Sequence, residues 1–415
     1  MHRKRDDVEI RQVLSSATKI FALTDSPPRF VAGNGSWLYD LRGKEYLDFA
    51  CGSGVTSLGH GNPSLISAVK RQLDTGLSHA GPHFATPTQV ECYRLIGKIL
   101  PEQLCRMHPA TNGTEATETA LKAAMYFTGG KDFLAFKGGY HGRTLGSLAV
   151  SSKRGVSRFL GALKPNTRFL EFGCNQSRVQ KALDVNPKPA GIVLEAIQAT
   201  NGMIFPPRGW LRMLADLSYQ NGVPLIVDEV FTGFARSGLF FAIEREKIVP
   251  DLLVLGKSLG GGFPSGLVVG RDEIMSAWLP GTQSSTFQFH PVSAAAALAS
   301  LEMMIDIDAP LVTRKIGRYL QENLKEFEEF PFVAEIRGSG AMFGIEIVSV
   351  DGHPDQTLAA SIRSVALEKG LVTWECGAEG HVIGLVPPFV VNNDELDFGI
   401  KLLRDAILVA SELRA

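Results

Sequence analysis

Between about residue 63 and residue 290, short and wholly apolar runs alternate with longer stretches of helical pattern. The runs at 132–136, 190–194, 224–227, 252–255 and 266–269 contain no polar alternation. Strands of that kind are buried on both faces, so an α/β unit is expected, with a mostly parallel central sheet sandwiched by helices. An alanine-rich stretch at 292–305 predicts a long helix leading out of the sheet. Beyond about residue 310, helical patterns at 311–330, 356–369 and 393–413 interleave with strand-like pieces at 343–348 and 382–385. These predict a compact α+β unit. At the other end, a mixed helical pattern at 8–22 is broken by Ser26-Pro27-Pro28. A hairpin of 35–40 and 45–49 follows, turning at Leu41-Arg42-Gly43-Lys44. The hairpin is expected to pack with the C-terminal unit, so that the smaller α+β domain is made of both termini. The expected division is an N-terminal segment (1–62), a large domain (63–305) and a C-terminal small domain (306–415). The chain carries no repeats or low-complexity segments.

Composition narrows the class. A chain of 415 residues, 45% hydrophobic and 20% charged, can bury one large core and a smaller one. A formal net charge of -1 gives no field that would gather nucleic acid or an acidic membrane surface, and neither is expected as a partner. Cys51, Cys92, Cys105, Cys174 and Cys376 are scattered, without Cys-x-x-Cys pairs or histidine clusters, so reduced thiols are expected, with no disulfide framework and no metal. The start, Met-His-Arg-Lys-Arg-Asp-Asp, lacks the apolar core of a secretory signal, and no window has the length of apolar sequence that spans a membrane. A cytoplasmic location is the expectation.

Two apolar runs end on reactive groups. The stretch 251–262 stops at Lys257 before Ser-Leu-Gly-Gly-Gly, and the stretch 224–230 ends in Asp228-Glu229-Val230. An amine and a carboxylate, each at the C-terminal end of a buried strand, are what pyridoxal 5'-phosphate (PLP) requires: one forms an imine, the other keeps the pyridine nitrogen protonated. The alternative is a solvated loop lysine and a helix-capping aspartate. Asn112-Gly113-Thr114-Glu115-Ala116 opens a helical run through Phe127, where close backbone approach at Gly113, the Thr114 hydroxyl and unpaired helix amides make a phosphate cup, or else a plain cap. In Lys137-Gly138-Gly139-Tyr140-His141-Gly142-Arg143-Thr144, Tyr140 offers an aromatic face to a flat ring. His141 reads as structural support rather than a proton carrier.

These stretches, in this order, resemble the class III aminotransferases, a branch of the fold type I PLP-dependent enzymes. Further matches are Tyr46-Leu47-Asp48-Phe49 with Leu58-Gly59-His60 and Pro63, Thr232-Gly233-Phe234, Thr286-Phe287 with Pro291, Arg337-Gly338 with Gly340, and Pro387-Pro388. The resemblance runs from Trp37 to Pro388, nearly the whole chain. It implies that Lys257 holds the cofactor as an imine and then shuttles the proton, that Asp228 keeps the pyridinium proton, and that Tyr140 and Val230 face the two sides of the ring. It implies phosphate binding by Gly113 and Thr114, and by Thr286 reaching over from a neighbouring subunit. His141 and Glu195 join the expected cofactor contacts. A homodimer with shared active sites follows, acting on small-molecule amines and keto acids.

The departures concern the substrate. Members that exchange nitrogen with glutamate commonly place an arginine three residues before the paired prolines, where this chain has Gly384, and a glutamate partner where it has Thr200. Losing both together avoids a buried unpaired charge. Ala196 follows Glu195 in place of proline, and Phe231 stands where some members carry glutamine. A substrate carboxylate would then fall to Arg29, Arg143, Arg236 or His83, among which spacing does not choose. Trp374, Phe30, Trp37 and Phe84 are candidate apolar walls, or else core residues. The first reading is a PLP-dependent aminotransferase that moves an amino group between a primary amine or ω-amino donor and a keto acid or aldehyde by a ping-pong mechanism. The alternatives are a racemase, epimerase or aminomutase of the same fold and, last, a non-enzymatic PLP-binding protein.

Overall fold

Four short apolar segments lie side by side and in parallel at the centre of the chain. The computed structural model describes residues 28–152 and 166–412, so the helical pattern expected at 8–22 lies outside the described residues. The central sheet has seven strands. In chain order they are β1 (Arg106–Ala110), β2 (Phe133–Phe136), β3 (Thr167–Leu170), β4 (Gly191–Glu195), β5 (Leu225–Asp228), β6 (Leu252–Gly256) and β7 (Gly266–Gly270). In space the order is β1-β7-β6-β5-β4-β2-β3. Only β7 is reversed, pairing antiparallel with both β6 and β1, while β6, β5, β4, β2 and β3 run parallel. Strands β2, β4, β5, β6 and β7 are buried at every position, as their unbroken apolar runs require. The two outer strands β1 and β3 were not expected. Arg106-Met-His-Pro-Ala and Thr167-Arg-Phe-Leu are half-exposed and mix polar with apolar residues, so they carry no buried-strand signal.

Helices flank this sheet. Gly113–Thr128 packs on β6 and β7. Its first turn is capped by the Asn112 side chain, which accepts from the Glu115 amide at 3.0 Å. The alanine-rich helix spans Pro291–Asp306, with Pro291 at its first position, where a missing N–H costs nothing. The expected hairpin forms from Trp37–Asp40 and Glu45–Asp48, preceded by an unexpected strand, Phe30–Asn34. Leu371–Val372 pairs parallel with Glu45–Asp48, joining the two ends of the described chain in one four-stranded sheet. A third sheet is built from Val333–Ser339, Met342–Ile347, Trp374–Cys376 and Val382–Leu385. The helices Gln356–Lys369 and Asn393–Glu412 cover this part and pack on each other. The α/β architecture with a smaller second unit is therefore as expected.

Candidate active site

In open α/β sheets ligands collect at the carboxyl ends of the parallel strands, and the chemistry-bearing residues lie there. Glu195 and Asp228 are register partners at the ends of β4 and β5, and Lys257 directly follows β6. Lys257 adopts the left-handed backbone conformation, φ 45°, a strained state for a lysine and of the kind found at functional sites. A cavity of about 290 Å³ joins Lys257, Asp228, Glu195, Tyr140, His141, Val230 and the Gly113-Thr114 helix start, with Arg143, Thr200 and Phe231 also in its wall.

Each group is held by its neighbours. Asp228 accepts the Val230 amide on Oδ1 at 2.9 Å, and its Oδ2 lies 2.8 Å from His141 Nδ1. Burial alone would lower the His141 pKa, but the bond to Asp228 and that carboxylate's charge outweigh it and the pKa is raised. His141 thus pairs with Asp228, a contact the sequence did not point to. Its amide donates to Ser151 Oγ at 2.8 Å. Glu195 accepts the amides of Tyr140 and Ala199, at 2.9 and 3.3 Å. Burial pushes its pKa up to about 7, against the pull of His141 and Lys257. Burial likewise lowers the Lys257 ammonium to about 8, opposed by Glu195 and Asp228. An amine with that pKa is substantially neutral, and so nucleophilic, at mildly alkaline pH.

The helix start in the cavity wall suits an oxyanion. The amides of Gly113 and Thr114 open a sixteen-residue helix, where N–H groups have no acceptor within the helix. Thr114 Oγ1 accepts the Arg143 amide at 3.1 Å and lies 2.8 Å from Ser147 Oγ. A Cβ at position 113 would lie 2.7 Å from Val230 Cγ1, and one at 142, where φ is 128°, would lie 1.9 Å from Thr114 Oγ1. Both positions therefore require glycine. A carboxylate, an amine, an aromatic ring and a helix start converge on one space, which matches the donor set PLP needs.

Other expected residues lie elsewhere. Thr286 is exposed and does not line the cavity; its carbonyl accepts from His79 Nε2 at 2.6 Å. Arg29, His83 and Phe84 are also outside the lining, Phe84 with 71% of its surface exposed. Trp37 donates through Nε1 to Glu395 at 2.7 Å, and Phe30 packs edge-on against Tyr46. Arg236 is fully buried. It donates to the carbonyls of Ala341 and Pro387 and to Ser57 Oγ, at 3.0, 2.7 and 2.6 Å. Of the arginines and the histidine weighed for a carboxylate, only Arg143 borders the cavity, its guanidinium 5.8 Å from the Tyr140 ring centre. Sequence reasoning missed Ser147 and Ser151, which hold Thr114 and His141. Ser147 lies in the short helix Leu145–Ala149 and Ser151 just beyond it, and neither carries a signal until that segment is folded.

At Gly384 a Cβ would meet Cys376 Sγ at 3.1 Å and Trp374 O and Cβ at 3.1 and 3.2 Å, so the neighbouring strand leaves no room for a longer side chain there. Trp374 stacks on Phe231 at 4.8 Å and 10°.

Comparison with known proteins agrees with the geometry. Residues 24–407 match the model of the family described as aminotransferase class-III. The acetylornithine aminotransferase of Methanopyrus kandleri is 35% identical over 92% of this chain and 94% of its own. A diaminobutyrate–2-oxoglutarate aminotransferase of Haemophilus influenzae is 31% identical over 98% and 94%. Among solved structures, an ornithine aminotransferase from Toxoplasma gondii, with PLP at partial occupancy in its active site, superposes with a TM-score of 0.88 at 26% identity, covering 97% of this chain and 94% of that one. With fold, family model and relatives in accord, this chain belongs to the class III aminotransferases and is a transaminase of fold type I.

Proposed function

We propose that this enzyme uses PLP, held in the 290 Å³ cavity, to move an amino group from a primary amine or ω-amino donor to a keto acid or aldehyde in two half-reactions. The observation that carries this reading is Lys257 sharing one cavity with the Asp228–His141 pair. Bound there, PLP supplies an electron sink for the carbon that carries the amine. In this reading Asp228, fixed by His141 and the Val230 amide, holds the proton on the pyridine nitrogen. Lys257 would hold the cofactor through its amine and would carry the proton to and from the reacting carbon. The amides of Gly113 and Thr114 and the Thr114 hydroxyl hold the phosphate. Tyr140 and Val230 confine the ring from its two faces, and Glu195 positions the Tyr140 loop through its amide.

The proposal extends to assembly and place. Thr286, exposed and outside the cavity of its own chain, reaches the phosphate of a second subunit in a homodimer with shared sites. The division 1–62, 63–305 and 306–415 is proposed as the domain organisation. Five free thiols, four of them buried, support a reducing, cytoplasmic setting. No described helix is long and apolar enough to cross a membrane.

The test is one half-reaction. Protein loaded with PLP is mixed with a primary amine, and conversion of the cofactor to its aminated form is followed by absorbance. Wild type converts, and Lys257→Ala folds but neither converts nor shows the absorbance of lysine-linked cofactor. Persistence of that absorbance in Lys257→Ala refutes the assignment. Exchange at the reacting carbon without conversion in wild type would favour a racemase.

A further inference from the structure

The reactive amine of Lys257 lies against an aromatic wall. Its Nζ is 4.2 Å from the centre of the Phe231 ring and 5.7 Å from that of Trp374, and the two rings are stacked on each other. Phe231 lines the cavity. Trp374 is half-buried, is not itself among the cavity's lining residues, and pairs through its backbone with Gly384. The carboxylates of Glu195 and Asp228 share the same cavity. Of the two cationic side chains in its wall besides His141, one is Lys257 itself; the other, Arg143, lies beside Tyr140 and Thr114. Arg236 is fully buried, donates to two carbonyls, Ser57 and Cys51 Sγ, leaves its Nε without a partner among the described residues, and does not line the cavity.

From this arrangement we infer that Phe231 and Trp374 are the specificity wall for the amine-bearing carbon of the substrate. The wall accepts hydrogen or an apolar, above all aromatic, substituent on that carbon and rejects a carboxylate, so the acceptor it favours is an aldehyde, or a keto acid whose carboxylate is not on the carbonyl carbon. The inference rests on Lys257 being the reacting amine. Its physics is local: aromatic faces carry negative potential, so they welcome hydrocarbon and cationic groups and repel an anion. A carboxylate placed there would be desolvated against two aromatic faces with no guanidinium in the wall beside it. Rejection thus comes from a missing partner and the negative potential of the ring faces, and acceptance from stacking area.

Two matched probe pairs test it, each differing only by hydrogen against carboxylate on the relevant carbon. Benzylamine and both enantiomers of phenylglycine are compared as donors for the PLP-loaded enzyme. Benzyl alcohol and mandelate, which do not react, are compared by calorimetric binding. Wild type should prefer benzylamine in kcat/KM, and benzyl alcohol in affinity, by roughly ten-fold or more. Trp374→Ala should lose most of that preference through KM, while Trp374→Phe, which keeps an aromatic face, should retain it. Equal or better use of phenylglycine by wild type overturns the inference, as does Trp374→Ala lowering both members of each pair equally. An enzyme that turns over neither amine yet binds benzyl alcohol ten-fold more tightly than mandelate supports the wall and counts instead against the proposed donor chemistry. Equal binding of the alcohol and mandelate overturns the wall whatever the turnover.

Discussion

At the scale of single residues the site is governed by burial. Lys257 is brought to about pKa 8 chiefly by desolvation, although two carboxylates pull the other way. In the cofactor-free protein its modification by an amine-directed reagent should therefore rise with pH through about 8 and not wait for the ordinary lysine range. Peptide mapping of the labelled lysine against pH checks this, and a midpoint near 10.5, the ordinary value, would contradict it. The same shift has a consequence for stability. Between pH of about 8 and 10.5 the folded chain has released a proton that the unfolded chain keeps, so this group's contribution to stability rises with pH across that window. Lys257→Met should accordingly be more resistant to urea than wild type at neutral pH, with the gap closing by about pH 10.5. A gap that widens with pH would reverse the sign. Gly113 shows a steric counterpart. Gly113→Ala must displace Val230, whose Cγ1 would lie 2.7 Å from the new Cβ. Overpacking of that sort costs about 1–3 kcal/mol. We expect weaker PLP binding, with Val230→Ala partly restoring it in the double variant.

Elements bring these residues together through strand ends. Parallel pairing of β4 with β5 and of β5 with β6 places Glu195, Asp228 and Lys257 on one edge of the sheet. Arg236 acts between elements. One guanidinium binds Ser57, Ala341 and Pro387, residues far apart in the chain, and Ser57 Oγ lies 2.6 Å from Ser258 Oγ, next to Lys257. Arg236→Met would strand two buried carbonyls without donors, at a cost of about 1–3 kcal/mol each. Chemical denaturation should show a loss of that order. Lysine should restore little of it, because its point charge cannot reproduce the planar fork. Full stability of Arg236→Met would mean that the strap contributes nothing.

For the whole molecule, the proposed shared site makes a prediction that a self-contained site does not. Lys257→Ala and Thr286→Ala chains, mixed and allowed to exchange subunits, form hybrid dimers in which one of the two sites has both residues intact. At limiting PLP the mixture should show more activity than the two variants measured separately. Activity no greater than their sum, with subunit exchange verified by mass, would show that Thr286 does not serve a neighbouring site.

Much of this molecule was legible from its residues in order. Buried parallel strands are apolar along their whole length, so β2, β4, β5, β6 and β7 stand out as unbroken runs, and a lysine or aspartate ending such a run is conspicuous. The outer strands β1 and β3 escaped because half-exposed strands mix polar and apolar positions as loops do. Spacing also could not rank the arginines, since Arg143 and Arg236 are both plausible until their surroundings are known. Folding ties Arg236 into carbonyls and leaves Arg143 at the cavity. The sequence by itself determined the family and singled out Lys257 and Asp228 as the candidate amine and carboxylate, because those depend on local strings at strand ends. Only the tertiary structure decided that Trp374 stacks on Phe231 beside the Lys257 amine. That contact joins residues more than a hundred positions apart, and only chain packing can bring them together.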